Sequence, residues 1–388
     1  MKKRVLMAAT VPSMIGHFNM NNIAILQEMG FDVDVACDYT DESVWPAKKT
    51  KDLREKLEAR GVNCIQIDFS RSPSDVKRHI ESYKELKRII SDRQYKFIHT
   101  HTPIASAIIR IAAHKLKTDV IYTAHGFHFY KGASIKNWLC FYPIEKLLSK
   151  WTHTLITINK EDYSLAQKKF NANNVVYVPG VGVDIDGFNS SVVDRAAVRQ
   201  ALGLKTDDLM LLSVGELSKR KNHEIVLQAL YEIKREGISI DNIHYYICGN
   251  GSLEGHLRDK STEYGINLHL LGFRDDIGDL CKSSDLFIFP SFQEGLPVSL
   301  MEAIACKTPV LCSKIRGNVD LINNENQLFD PTDPTSLKAV LKQFLDSYKG
   351  NDKKERIGNT VNENFDNLRY FGIVAITEKM KRIYCKVN

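Results

Sequence analysis

The sequence predicts an α/β protein of two parallel-sheet domains, and three observations predict it. Short unbroken apolar runs alternate with longer amphipathic ones from end to end. Strands of a parallel sheet read this way because helices cover both of its faces. The alternation occurs twice, on either side of a Pro- and Gly-rich break at 179–188. The 388 residues suffice for two or three domains, each large enough for its own core.

In the first half the expected strands are 4–9, 32–37, 64–69, 97–101, 120–124, 155–158 and 175–178. Helical patterns fall near 18–29, 50–60, 75–91, 104–116, 135–150 and 160–170. The second half repeats the scheme, with strands at 210–214, 245–248, 268–271, 286–289 and 310–313. Its helices are expected near 222–236, 252–264, 276–283, 297–306, 333–347 and 352–364. The domains are therefore drawn at 1–185 and 186–366, with a helical tail at 367–388 that no strand follows.

Composition narrows the class. Residues 1–190 carry 27 Lys and Arg against 20 Asp and Glu, so the first half holds the positive excess of the chain's +6. A basic half suits either phosphate groups, an anionic membrane surface or plain solvation; nucleic acid is not expected as a partner. The eight cysteines are scattered without a C-x-x-C pair and read as small core residues of a cytoplasmic protein. No apolar stretch approaches the ~20 residues that span a bilayer, and the basic start has too short an apolar run for a secretory signal.

The richest chemistry lies in Ser284-Asp-Leu-Phe-Ile-Phe-Pro-Ser-Phe-Gln-Glu294-Gly-Leu-Pro-Val-Ser-Leu-Met-Glu302. A buried strand runs to Pro290, a loop carries Glu294, and a helix is expected to begin at Pro297, a residue suited to the first helical position. The N–H groups of Gly295, Leu296 and Ser299, in the stretch that holds Pro297, then sit at a helix N-terminus, where anions bind. Loops at the carboxyl ends of parallel strands are also where ligands bind. Glu302 stands too deep in the helix to be a cap. Its apolar neighbours make a buried position, not a solvated one, the expectation.

With its strand ending Pro-Ser, the phrase Pro-Ser-x-x-Glu294-Gly-Leu-Pro-x-x-x-x-Glu302-Ala resembles the signature of the family 4 retaining glycosyltransferases of the GT-B fold. The resemblance extends through Val214-Gly-Glu-Leu-x-x-x-Lys221-Asn, Cys248-Gly-Asn250-Gly251, Leu271-Gly-Phe273-Arg274 and Arg316-Gly-Asn. It implies two Rossmann-like domains facing a cleft, with a last helix that crosses back to the first. It implies that Glu294 faces the donor sugar, Glu302 holds the nucleotide ribose and Lys221 neutralises the donor diphosphate. The family has Arg where this chain has Glu216; either Arg220 supplies that charge, or Lys219 and Arg220 are only cations of a surface loop. Gly249 and Gly251 either admit close approach of a nucleotide or make a simple turn, and Asn250 between them is counted with Gly251 among the donor-binding residues. The loop of Phe273 and Arg274 is similar to the segment whose backbone contacts the base.

In the first half, Thr-Ala-His125-Gly-Phe-His128 ends a buried strand, and His125 resembles the family's histidine beside the donor phosphate or sugar. Gly16 either fits the family's glycine loop after the first strand or is only a turn residue. His99 and His101 share one strand face, but no matching acid or cysteine spacing accompanies them, and no metal is expected. The pairs Asp32/Asp34 and Asp184/Asp186 read as structural. No phosphate-binding G-x-x-x-x-G-K-[ST] loop occurs.

Lys131-Gly-Ala-Ser-Ile-Lys-Asn-Trp138 and onward to Trp151 mixes basic, aromatic and aliphatic residues, and reads as either an interfacial element or a core helix with a basic rim. The run from Thr123 to Gly132 and Tyr142-Pro-Ile-Glu145 are similar to enzymes of capsular and exopolysaccharide assembly. The resemblance thus implies metal-independent transfer of a hexose or N-acetylhexosamine, without a cofactor, from a nucleotide sugar, UDP-linked by expectation. The implied acceptor is a saccharide, polyprenyl-diphosphate-linked, at the inner membrane face. Two alternatives remain open: a nucleotide-sugar epimerase on the same fold, and a non-catalytic nucleotide-sugar-binding protein.

Overall fold

A computed structural model describes residues 3–348 and 351–387. The chain divides into two compact units, residues 1–182 with 374–388, and residues 183–373.

The first unit holds seven strands: β1 (Arg4–Ala8), β2 (Asp32–Cys37), β3 (Asn63–Gln66), β4 (Phe97–His101), β5 (Asp119–Ala124), β6 (Thr154–Thr157) and β7 (Asn174–Tyr177). All pair in parallel, in the order β3-β2-β1-β4-β5-β6-β7. Alternation along β1 explains why its run is unbroken. Val5 and Met7 enter one core and Leu6 and Ala8 enter another, so each face of the strand is buried. The helix Ile373–Val387 lays Ile376, Met380, Ile383 and Tyr384 into the core of Val5 and Met7. Asp34, buried in β2, accepts from Arg93 (2.7 Å) and the Tyr95 hydroxyl (2.7 Å), so its D-x-D pair is spent on structure.

The second unit holds β8 (Leu209–Val214), β9 (Ile243–Cys248), β10 (Asn267–Gly272), β11 (Leu286–Phe289), β12 (Val310–Ser313) and β13 (Leu328–Phe329). Their order is β10-β9-β8-β11-β12-β13, again parallel. In both sheets the strand order reverses beside the first strand, between β1 and β4 and between β8 and β11. Such a switch opens a crevice at the carboxyl ends.

Several elements differ from expectation. The region expected as a loop around Gly16 is a helix, Pro12–Phe18, followed by a second, Met20–Glu28. Strand 64–69 stops at Gln66, because the Phe69 N–H turns back to Ile67 O (2.8 Å). Helices Ile185–Ser190 and Arg195–Ala201 were not expected. Neither buries a side chain, so neither writes an apolar stripe. Polar contacts hold them. Asp184 caps the first by accepting from Gly187 N (3.0 Å), and Arg199 of the second donates to buried Asp285 (3.0 Å). Two-residue β13 is too short for any periodicity to reveal. No helix among the described residues is long and apolar enough to cross a membrane.

Candidate functional site

In the second unit, the chemistry gathers where β8 and β11 end. After β8 a 3₁₀ turn, Lys219–Lys221, ends on Asn222 in the left-handed region (φ 54°). The Asn222 amide donates to Pro290 O (3.2 Å) and Pro331 O (2.9 Å), and Phe292 N donates to Arg220 O (2.9 Å), which ties the turn to the loop after β11. Thus placed, Lys221 Nζ and Arg220 Nη1 both donate to Glu294 Oε1, at 2.8 and 3.0 Å. The Glu294 side chain is only 11% exposed. Lys221 runs over Gly215, where a Cβ would stand 3.1 Å from its Cδ and Cε, and its ammonium lies 4.8 Å from the Phe289 ring centre. Two cations on one carboxylate leave the cluster with a net positive charge.

A third segment braces the loop. Arg316 Nε donates to Glu294 O (3.1 Å). Gly317, at φ 82°, lies so close that a Cβ would meet Gly295 O at 2.4 Å. Sequence reading saw Arg316-Gly-Asn only as part of a resemblance and gave Asn222, Arg316 and Gly317 no role. The available signal was position, since Arg316 and Gly317 follow β12, the neighbour of β11.

The helix after the loop is Val298–Ala305, with Pro297 at its N-cap and not within it. No side chain caps it. Its first internal bond recorded is Met301 N to Pro297 O (3.2 Å), and the earlier N–H groups have no partner within a helix by its geometry. Leu296 is buried and Gly295 and Ser299 half-buried; Ser299 Oγ lies 3.5 Å from Val214 O. Further in, Glu302 is half-buried beside Leu300, Met301, Ala303 and Ile304, and burial pushes its carboxyl up to about 7. It is no solvated helix charge.

The remaining expected residues divide. Glu216 and Asn250 are exposed, and Glu216 is not part of the Arg220–Lys221–Glu294 cluster. Gly251 serves a contact the sequence did not suggest. A Cβ there would stand 2.4 Å from Leu217 O, so the glycine lets the loops after β8 and β9 pack backbone to backbone. Asn250 O accepts from Leu217 N (3.0 Å) in the same contact. Phe273 is 70% exposed, and the Arg274 guanidinium is held by Asp276 (Nε to Oδ1, 2.7 Å).

In the first unit, a pocket at the carboxyl ends of β4 and β5 is lined by Asn19, Asn22, His101, Thr123 and His125, among others. His101 Nε2 lies 3.2 Å from Met7 Sδ, and its Nδ1 shares one hydrogen bond with His125 Nε2 (3.0 Å), whose direction is set by the ring tautomers. Burial pushes His125 down to about 4 and His99 to about 3, so both rings are neutral near pH 7. His99 bonds Tyr384 OH and Thr123 Oγ1, each at 2.8 Å. Among the described residues, no three His, Cys, Asp or Glu side chains converge as a metal site. His128 is exposed and stacks on Phe141. Gly16 makes no loop in this unit. A Cβ on it would meet the Trp45 ring at 2.2 Å, so it is a packing glycine of its helix.

Comparison with known proteins bears on both units. A family profile described as glycosyl transferases group 1 matches residues 194–363, and one described as a glycosyl transferase 4-like domain matches residues 15–180. EpsD of Bacillus subtilis, which carries a provisional glycosyltransferase name, is 30% identical over 84% of this chain and 82% of its own. An Escherichia coli UDP-Gal:alpha-D-GlcNAc-diphosphoundecaprenol alpha-1,3-galactosyltransferase is 28% identical over 94% of this chain and 92% of its own. Among solved structures, Anabaena HepE in complex with UDP superposes with a TM-score of 0.77 at 18% identity, covering 99% of this chain and all of that one (100%).

Proposed function

This chain belongs to the group 1 glycosyl transferases of the GT-B fold, and from that premise we propose that it is a retaining, metal-independent transferase. Its donor is a UDP-linked hexose or N-acetylhexosamine. Its acceptor is a saccharide on a polyprenyl diphosphate, in surface polysaccharide assembly on the inner membrane face. The observation that carries the reading is the Arg220–Lys221–Glu294 cluster beside an uncapped helix N-terminus. A departing diphosphate needs cations and N–H donors where its charge develops, and this edge offers both. The names of the E. coli relative and of a Campylobacter jejuni diphospho-undecaprenol N-acetylgalactosaminyltransferase support the acceptor class.

In this reading Glu302 accepts from the ribose hydroxyls, and Glu294 faces the sugar. When the diphosphate arrives, Lys221 and Arg220 share their charge between it and Glu294. The Arg that the family carries at position 216 is replaced in effect by Arg220. His125 faces the donor phosphate or sugar. With no nucleophile on the enzyme, the leaving phosphate takes the acceptor proton while the new bond forms on the same face.

The test is a transfer assay with UDP-sugars and a synthetic polyprenyl-diphosphate saccharide, with the anomer read by NMR. An α-linked product from an α-donor, unchanged by EDTA, is the expected result; an inverted anomer or loss of turnover in EDTA sinks the retaining or the metal-free claim. Donor isomerised without acceptor would mark an epimerase. Thermal stabilisation by donor with no turnover on any acceptor would mark a binding protein.

A further inference from the structure

The helix Ile135–Ser149 is apolar around most of its circumference but only half of it meets protein. Its inner side, with Trp138 and Tyr142, packs on Phe129 and Phe170. Its outer side leaves Ile135 78%, Leu139 72%, Ile144 53% and Leu147 52% exposed. A helix with apolar residues on every side belongs in a fully buried setting, and a bare apolar face marks an interface.

Charge says what covers it. Lys131, Lys136, Lys146 and Lys150 are exposed on or beside this helix. Its sole acidic residue, Glu145, is turned inward, where it accepts from Arg110 (2.8 Å) and Tyr122 (3.3 Å). The outer face therefore presents only cations among aliphatic side chains. A second copy of the same face would bring like charges together as its apolar groups met. Anionic headgroups over acyl chains satisfy both features, and lysine stems let the ammonium groups reach the headgroups while the aliphatics sink.

Position adds a reason. The helix follows the loop that carries His125. That loop is pinned by Asp162, which accepts from Phe127 N (3.0 Å), and by Glu161, which accepts from Lys131 N (2.8 Å). The bare face is thus tied by a short, anchored loop to the edge of the sheet where the His125 pocket lies.

We infer that the outer face of the Ile135–Ser149 helix docks this protein on an anionic lipid surface. This names the membrane contact within the proposed function and rests on that reading only for the acceptor it would serve.

Flotation of the intact protein with phosphatidylcholine vesicles, with and without phosphatidylglycerol, tests it. The protein should float with the anionic vesicles only, and less so as salt rises. Ile135→Ser with Leu139→Ser, and separately Lys136→Glu with Lys150→Glu, should each cut the partition by about tenfold or more. Stabilisation by UDP-sugars should stay unchanged in both variants, which shows them folded. Equal flotation of the variants, no preference for phosphatidylglycerol, or a dimer that the variants dissolve would overturn the inference. Flotation that stands while no lipid-linked saccharide is glycosylated would remove the acceptor and keep the surface. Transfer to a short-chain acceptor without flotation would do the reverse.

Discussion

At the carboxyl edge of the first unit, neutral rings meet, with His125 against His101 and His101 against the Met7 sulfur. At the matching edge of the second unit, ions meet, with Lys221 and Arg220 on Glu294. Two sheets with the same kind of strand reversal thus furnish the same kind of edge in opposite ways. Burial favours the neutral form in both, lowering His125 and His99 and raising Glu302. The second edge pairs opposite charges, Lys221 and Arg220 on Glu294, where the first brings uncharged rings together. The difference teaches that an edge holds ions against the fold where cations meet a carboxylate, and that burial otherwise favours the neutral form.

The largest test removes the ions. Glu294→Ala or Lys221→Ala should lower kcat/KM by about 10²–10³-fold, up to about 4 kcal/mol of transition-state stabilisation. Near-normal turnover of either variant with a competent donor and acceptor would leave the charged edge without a catalytic part. Gly317→Ala comes next. At φ 82° and with Gly295 O 2.4 Å from the added Cβ, the loop must shift. We expect about 1–3 kcal/mol lost in thermal unfolding, with a raised donor KM. A raised KM is absent if the brace serves folding alone.

Acid sharpens the contrast in the first unit. An unfolded chain protonates His125 and His99 as pH falls through about 6.5, while the folded chain resists until about 4 and 3. Stability should therefore fall on acidification through that window, by about 1.4 kcal/mol per pH unit for each ring fully engaged. His99→Gln should flatten the slope in a series of melting curves. Glu302 runs the other way. Held at about 7 when folded against 4.5 otherwise, it contributes stability below pH 4.5 that is lost as pH rises to 7. Its ionised form is the one that accepts from two hydroxyls, so donor affinity should rise about tenfold between pH 6 and 8. Glu302→Gln should abolish that dependence; a pH profile unchanged by the substitution would remove Glu302 from the ribose.

Much of the fold was legible, because burial on both faces writes itself into β1, β8 and β11 as nearly unbroken apolar runs. Glu294 and Glu302 were legible too, because the strand, loop and helix around them are contiguous in the chain. Helix Arg195–Ala201 was not, since arginines and not an apolar stripe attach it. Gly251 leaves room for Leu217 O, a contact that no sequence pattern announced, and Gly16, matched to a loop or a turn, lies in a helix and leaves room for Trp45. A glycine in sequence says that space is short, never what fills it.

The sequence by itself determined the α/β class, the two repeats of strand and helix, and the loop and helix that carry Glu294 and Glu302. These follow from local periodicity and from residues adjacent in the chain. Only the tertiary structure decided that Arg220 and Lys221 converge on Glu294 across more than seventy positions of chain, as the separation of 73 between Lys221 and Glu294 records. Only it decided that Arg316 and Gly317 brace that loop, and that His125 lies within a hydrogen bond of His101. Those facts depend on which strands lie side by side, and that order has no local signature.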